Sequence, residues 1–152
     1  MKKDVGFNGS SHNNPSIVVT SVLKNHNEVL ILRRSKKVKT MQEKWAGVSG
    51  YLENNEDILS RALTEIYEET QINKDNLTLR KIFNQLNVQI HNELMIIIQP
   101  FCFVSKTRKV VLDWEHSDYC WINFNEMDNF DFVPRFKEII LWCLQDCSKQ
   151  EL

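Results

Sequence analysis

The sequence predicts an α+β domain in which strands and helices stack as an α/β/α sandwich. Three observations predict it. Short runs rich in valine and isoleucine alternate with polar turn clusters, the mark of strands joined by hairpins. A central stretch, Leu59 to Ile66, spaces its apolar residues as a helix does. A final stretch, Pro134 to Cys147, does the same, with Phe136, Ile139, Ile140, Cys143 and Leu144 on one face. Several strands, one central helix and one terminal helix give a layered architecture.

The bulk properties narrow the function. At 152 residues the chain is long enough for one domain with its own core. Its net charge is −1, so no strongly basic field draws it to nucleic acid, which is not expected as a partner. No apolar run reaches the roughly 18 residues of a membrane helix, so no membrane association is expected. Met1 to Asn14 carries charge but no apolar core of a leader peptide. The four cysteines, Cys102, Cys120, Cys143 and Cys147, form no C-x-x-C pair. Cys143 and Cys147 share a helix face, but no histidine adjoins them to complete a zinc site. Free thiols in a reducing, cytoplasmic setting are the simpler reading. Residues 1–15 read as a flexible tail, 16–146 as the domain and 147–152 as a second tail. No repeat or low-complexity tract divides them.

The elements follow in order. Ser16 to Leu23 reads as a strand, Lys24 to Asn27 as a turn and Glu28 to Arg34 as the returning strand of a hairpin. Arg33, Arg34, Lys36 and Lys37 make its end basic. Thr40 to Lys44 is a loop. Trp45 then leads through small residues to Gly50, and reads as core. Asp57 is placed to cap the central helix. Asn73 to Asn76 is a turn, and Leu77 to Phe83 and Gln85 to Ile90 alternate as strands. His91 to Glu93 turns the chain, and His91 reads as solvated. Leu94 to Val104 is the most apolar run and reads as a strand buried on both faces. Pro100 within it predicts a bulge or edge break. Ser105 to Lys109 is a basic loop, and Asn125 to Met127 begins a short helical turn.

The central helix carries the chemistry. At about 100° per residue, Arg61, Glu65, Glu68 and Glu69 fall within roughly 80° of one another. Leu59, Ala62, Leu63 and Ile66 form a separate apolar stripe. Carboxylates three and four apart repel unless a cation binds them. A cluster of carboxylate oxygens suits a hard cation such as Mg²⁺, which also binds phosphate oxygens.

The whole stretch Gly50 to Ile72 resembles the Nudix box, the motif of the Nudix hydrolase family. Gly50, Glu56, Glu65, Ile66, Glu68, Glu69 and Ile72 match the motif in register. Thr64 stands where the motif has arginine, and Gln71 where it has the late glycine. Glu115, six residues before Trp121, resembles a glutamate that many members carry on a loop facing the box helix.

The resemblance implies a Nudix fold with a mixed sheet and the box as loop–helix–loop. It implies a metal-dependent hydrolase that cleaves a phosphoanhydride bond in a nucleoside diphosphate linked to another moiety. Glu68 and Glu69 would hold Mg²⁺ or Mn²⁺. Glu65 would bind metal or orient the attacking water. The main-chain carbonyl of Ser49 would join the shell, and the Glu115 carboxylate would complete it or act as the base that activates water. Glu56 would support rather than chelate. Arg33 and Arg34 are candidates for the substrate phosphates, since arginine grips phosphate bidentately. Arg61, four residues before Glu65, is the candidate to take over the role of the missing box arginine. Gln71 implies either a left-handed residue other than glycine or a differently shaped helix end. His116 and Asp118 lie near Glu115 but are assigned no role.

A small-molecule nucleotide is the implied partner, and a monomer or homodimer is expected. Asn87 stands where ADP-ribose hydrolases of the family often have proline, and Val88 to Ile90 lack the tyrosine of dinucleoside polyphosphate hydrolases. That leans toward nucleoside triphosphate-like substrates. Two alternatives remain at this point. One is a catalytically weak Nudix domain that binds a nucleotide metabolite as a sensor or interaction module. The other is an RNA-related interaction domain using Lys36, Lys37, Lys106, Arg108 and Lys109.

Overall fold

The computed structural model describes residues 15–90 and 94–148. The strands are β1 (Ser16–Asn25), β2 (Glu28–Arg34), β3 (Trp45–Ala46), β4 (Val48–Tyr51), β5 (Leu77–Ile82), β6 (Leu86–Ile90), β7 (Leu94–Ser105) and β8 (His116–Ile122). The helices are α1 (Ile58–Thr70) and α2 (Phe136–Ser148), with 3₁₀ turns at Lys74–Asn76 and Phe124–Asn129.

The eight strands make one mixed sheet. β1 lies at its centre, antiparallel to β2 and β4 and parallel to β7. β8 extends β2, while β5 and β6 share the far edge of β7. Strand alternation sends successive side chains to opposite faces. Val19, Leu23, Leu30, Leu32, Phe101 and Phe103 therefore meet Ala62 and Ile66 of α1. Val18, Val22, Val29, Ile31, Ile98 and Ile122 meet Phe136, Ile139, Ile140 and Cys143 of α2. The α/β/α sandwich is thus observed, with one core on each side of the sheet. Full burial of a residue such as Ile66 contributes about 2 kcal/mol.

The β1–β2 hairpin forms as expected, with Asn25 opposite Glu28 and His26 at φ 56° in the turn. Pro100 departs from expectation, because β7 runs through it unbroken. The break falls in its partners. β5 pairs with β7 only as far as Phe101, and β6 begins at Ile98. The proline occupies the changeover, and Gln99 Nε2 donates to the carbonyl of Phe83 there at 2.9 Å. The last helix starts at Phe136 rather than Pro134, because Arg135 takes a left-handed conformation, φ 67°. Its guanidinium pairs with Glu138 in the first turn. The helix extends to Ser148, so residues 147 and 148 belong to it. Cys102 and Cys143 are buried and Cys120 is half-buried, and none of the three is in a disulfide. No described helix is long and apolar enough to cross a membrane. The tail at 1–14 and His91 lie outside the described residues.

Candidate active site

Helix α1 builds the site. Asp57 caps it as its position predicts, its Oδ2 accepting from the Ser60 amide at 2.9 Å. The side facing the sheet buries Ala62 and Ile66, and with them Glu65 and Glu69, which are 4% and 1% exposed. Glu68 and Thr64 face outward. The acidic edge is therefore split, with two carboxylates turned in and one turned out.

Gly50 of β4 makes room for Glu65. A Cβ there would stand 2.6 Å from Glu65 Cγ and closer still to the carboxylate. The glycine is required by this close approach, since no described glycine has a positive φ. Ser49, beside it, shares a hydrogen bond with Thr20 through the two hydroxyls at 3.1 Å.

Arg61 gathers the first half of the site. Its Nη1 donates to Glu65 Oε2 at 2.7 Å. Its Nε donates to both oxygens of Glu56 at 2.9 Å, Nη2 reaches Glu56 as well, and Nη2 lies 3.5 Å from Glu53 Oε2. The hydrogen bond from Arg61 holds the Glu56 carboxyl below the usual carboxylate range. The Glu56 contact in turn raises the guanidinium pKa. Helical spacing predicts Arg61 beside Glu65 and Glu68; Glu65 is there, and Glu56 and Glu53 take the place of Glu68.

The end of α1 is equally defined. Gln71 adopts φ 61° and ψ 17°, and its amide donates to the Tyr67 carbonyl at 2.8 Å. Of the two implied helix ends, the left-handed residue is the one observed. The Thr70 carbonyl accepts from the Val111 amide at 3.0 Å, which docks the 107–115 loop against this end. Glu115, on that loop, is 2% exposed, and its carbonyl accepts from the Ser35 amide at 2.8 Å. Ser35 Oγ donates to the neighbouring Trp114 carbonyl at 3.0 Å.

His116 was not assigned a role from sequence, yet it reaches the box helix. Its Nε2 lies 3.6 Å from Glu69 Oε1, and its Nδ1 lies 2.8 Å from Asp113 Oδ1. Nothing in a lone W-E-H-S string marks this histidine. Asp118, by contrast, is exposed and its carboxylate accepts from the Tyr119 amide.

The two arginines of β2 are not brought together. Arg33 is half-exposed, and its guanidinium meets the Glu43 carbonyl at 3.2 Å and the Glu43 carboxylate at 3.4 Å. Arg34 is buried, and its guanidinium donates to the Thr40 carbonyl at 3.1 and 2.8 Å. Arg34 therefore shapes the 35–44 loop. Lys36 and Lys37 are exposed. Trp45 packs edge-on to Phe130, with ring centroids 5.1 Å apart, as a core residue.

A family model for the NUDIX domain matches residues 12–143. The chain belongs to the Nudix family. By family it is a pyrophosphohydrolase. A search of the curated proteins finds no match. Among solved structures, the chain is similar to the Escherichia coli dihydroneopterin triphosphate pyrophosphohydrolase. The identity is 20% and the TM-score 0.72, over 84% of this chain and 94% of that one. It is similar to a Caenorhabditis elegans Ap4A hydrolase at 18% identity and TM-score 0.69, over 89% and 96% of the two chains. A bifunctional NMN adenylyltransferase/ADP ribose pyrophosphatase from Francisella tularensis, complexed with AMP and a manganese ion, aligns at 20% identity and TM-score 0.77. That alignment covers 91% of this chain and 44% of the larger one. These likenesses confirm the Nudix fold.

The carboxylates of this Nudix box, with one from the loop beside it, are the donor type of a hard divalent cation. Glu65, Glu68, Glu69 and Glu115 offer carboxylate oxygens, the ligand type of Mg²⁺ and Mn²⁺. Glu65 and Glu69 are buried on the sheet side of the helix, and Glu68 is exposed beside them. Among the described residues, no three His, Cys, Asp or Glu side chains already converge as a finished cage. Mg²⁺ keeps several waters and takes substrate phosphates as ligands, so it does not need one.

Proposed function

We propose that the protein is a divalent-metal-dependent hydrolase of a nucleoside diphosphate linked to a further group, with nucleoside triphosphate-like substrates first in line. The observation that carries this reading is the inward turn of Glu65 and Glu69 on the box helix, beside Gly50 and under the loop that holds Glu115. Phosphoanhydride cleavage needs charge neutralised on the phosphates and a water aimed in line at one phosphorus. Mg²⁺ or Mn²⁺, when bound, supplies the neutralisation and makes hydroxide available near neutral pH.

The chain's own residues do the rest. Glu68 and Glu69 hold the cation, Glu65 binds it or orients the water, and the Ser49 carbonyl and Glu115 complete the shell. Arg61 is a positioning residue that fixes Glu65. Of the strand-end arginines, Arg33 is the one to meet a phosphate. Its pair with Glu43 is exposed and exchanges at little cost. The similar structures include an ADP ribose pyrophosphatase, an Ap4A hydrolase and a dihydroneopterin triphosphate pyrophosphohydrolase, so fold alone does not choose among substrates. The absent proline at Asn87 and absent tyrosine at Val88 to Ile90 favour triphosphates.

A catalytically weak sensor domain is the second reading, motivated by Thr64 and Gln71. Both motives weaken here, because Arg61 supplies a charge to Glu65 and Gln71 adopts the left-handed turn a glycine would. The test is release of phosphate and pyrophosphate from a panel of nucleotides and nucleotide sugars with Mg²⁺ or Mn²⁺. Glu68→Gln is expected to lower turnover at least about 100-fold, the scale of losing one group that stabilises transition-state charge. Its exposed position should leave the fold intact. Turnover by wild type that persists in Glu68→Gln would remove Glu68 from the mechanism. No turnover on any substrate would favour the sensor.

A further inference from the structure

β8 contains a bulge whose effect is to aim one side chain. β2 and β8 pair regularly from Val29 opposite Ile122 to Arg33 opposite Asp118. The next pair is Arg34 opposite His116, so Ser117 is the extra residue. Residues directly opposite in a ladder share a face. Leu30 and Leu32 of β2 lie in the core under α1, so Arg34, two further on, and His116 opposite it belong to that side. Cys120 and Ile122 of β8 pack on the α2 side. Unbroken alternation would put His116 there too. The bulge turns it across the sheet, toward the box helix, which is what bulges beside functional sites do.

Once turned, His116 is held from both ends. An ionised carboxylate only accepts hydrogen bonds, so Asp113 Oδ1, at 2.8 Å, accepts from Nδ1–H. This fixes the ring plane and presents Nε2 to Glu69 Oε1 at 3.6 Å, longer than a hydrogen bond. The side chains of His116 and Glu69 are 5% and 1% exposed, so water does not separate them freely. The loop carrying Asp113 is tied to α1 through Val111 and to the start of the 35–44 loop through Ser35. Nothing in the Nudix box itself supplies this contact.

We propose that the Asp113–His116 pair is a positioning device that sets the carboxylate of Glu69 for metal binding. The inference rests on the metal-dependent reading given above. Partners that orient a metal ligand in this way typically change metal affinity 10- to 100-fold when removed.

The test is Mn²⁺ binding to the full chain, read from loss of the free-ion electron paramagnetic resonance signal, with circular dichroism as the fold control. His116→Ala is expected to weaken Mn²⁺ binding by about 10- to 100-fold. His116→Gln, whose amide nitrogen can stand near the position of Nε2, is expected to recover most of that loss. Unchanged affinity in folded His116→Ala overturns the proposal. Equal weakness of the alanine and glutamine variants also overturns it, since a donor placed near Nε2 would then do nothing for Glu69. If His116→Ala does not fold, Asp113→Ala carries the test: it removes the anchor and keeps the ring, and unchanged Mn²⁺ affinity overturns the proposal. Wild type that binds no Mn²⁺ fails the metal reading itself, and the proposal with it. That failure is distinguishable because it appears before any substitution is made.

Discussion

The two buried carboxylates of α1 are one helical turn apart, and they are held by different means. Glu65 is gripped by Arg61, four residues earlier on the same helix, which also collects Glu56 and Glu53. Glu69 faces His116, which arrives from a strand nearly fifty residues later and only because that strand bulges. The first anchor is local and strongly charged. The second is non-local and depends on the register of the sheet. A site built on one helix can thus draw half of its order from the helix and half from the surrounding fold.

Arg61→Ala is the strongest way to break the local anchor. It leaves Glu65 buried without its guanidinium, and we expect a loss of about 3 kcal/mol in urea unfolding, the lower end for breaking a buried pair, because the Glu53 side is open to water. Adding Thr64→Arg should restore part of that loss. If it restores none, an arginine at 64 does not reach the same carboxylates and the two positions are not interchangeable.

Gly50→Ala presses on the same anchor from the sheet side. Its methyl would overlap the Glu65 carboxylate, and a cost of about 2 kcal/mol is expected. In the Arg61→Ala background the carboxylate is free to swing aside, so the same substitution should cost less. Strict additivity in this double-mutant cycle would mean that the glycine and the arginine do not act on one side chain.

The smallest effect belongs to the far end. Gln71→Gly removes a side chain from a left-handed position and should raise stability by about 1 kcal/mol, seen as a higher urea midpoint. Turnover should not change. A fall in turnover would show that the Gln71 side chain serves the Glu69 end of the helix.

These two anchors also mark what the sequence could reveal. Asp57 as cap, the apolar stripe of α1 and the approach of Arg61 to Glu65 all follow from spacing along one helix, where neighbours are fixed by 3.6 residues per turn. The hairpin of β1 and β2 is equally local. His116 was not legible, because a strand bulge of one residue inverts which face a side chain takes. The division between Arg33 and Arg34 depends on where the sheet's two faces lead, and Arg34 on a loop carbonyl that no pattern names. The burial of Glu65 and Glu69, with Glu68 outside, rests on how α1 rolls against β1 and β4 rather than on the wheel alone. Pro100 shows the same limit, since its missing amide is accommodated by where two other strands begin and end.

The centre of the sheet sets the order in which this protein can assemble. β1, the first strand, has β7 as its parallel neighbour, with Val18 opposite Ile98, about 80 residues along the chain. Contacts between such distant segments close slowly, because the loop entropy is lost before the pairing is gained. During synthesis the box helix therefore emerges well before the strand that completes the floor beneath it. Until β7 docks, Phe101 and Phe103 are absent from the core under α1. The local Arg61 clamp can form in that interval, whereas the His116 contact must wait for β8. The two anchors of the box helix are thus complete only once β8 has paired with β2.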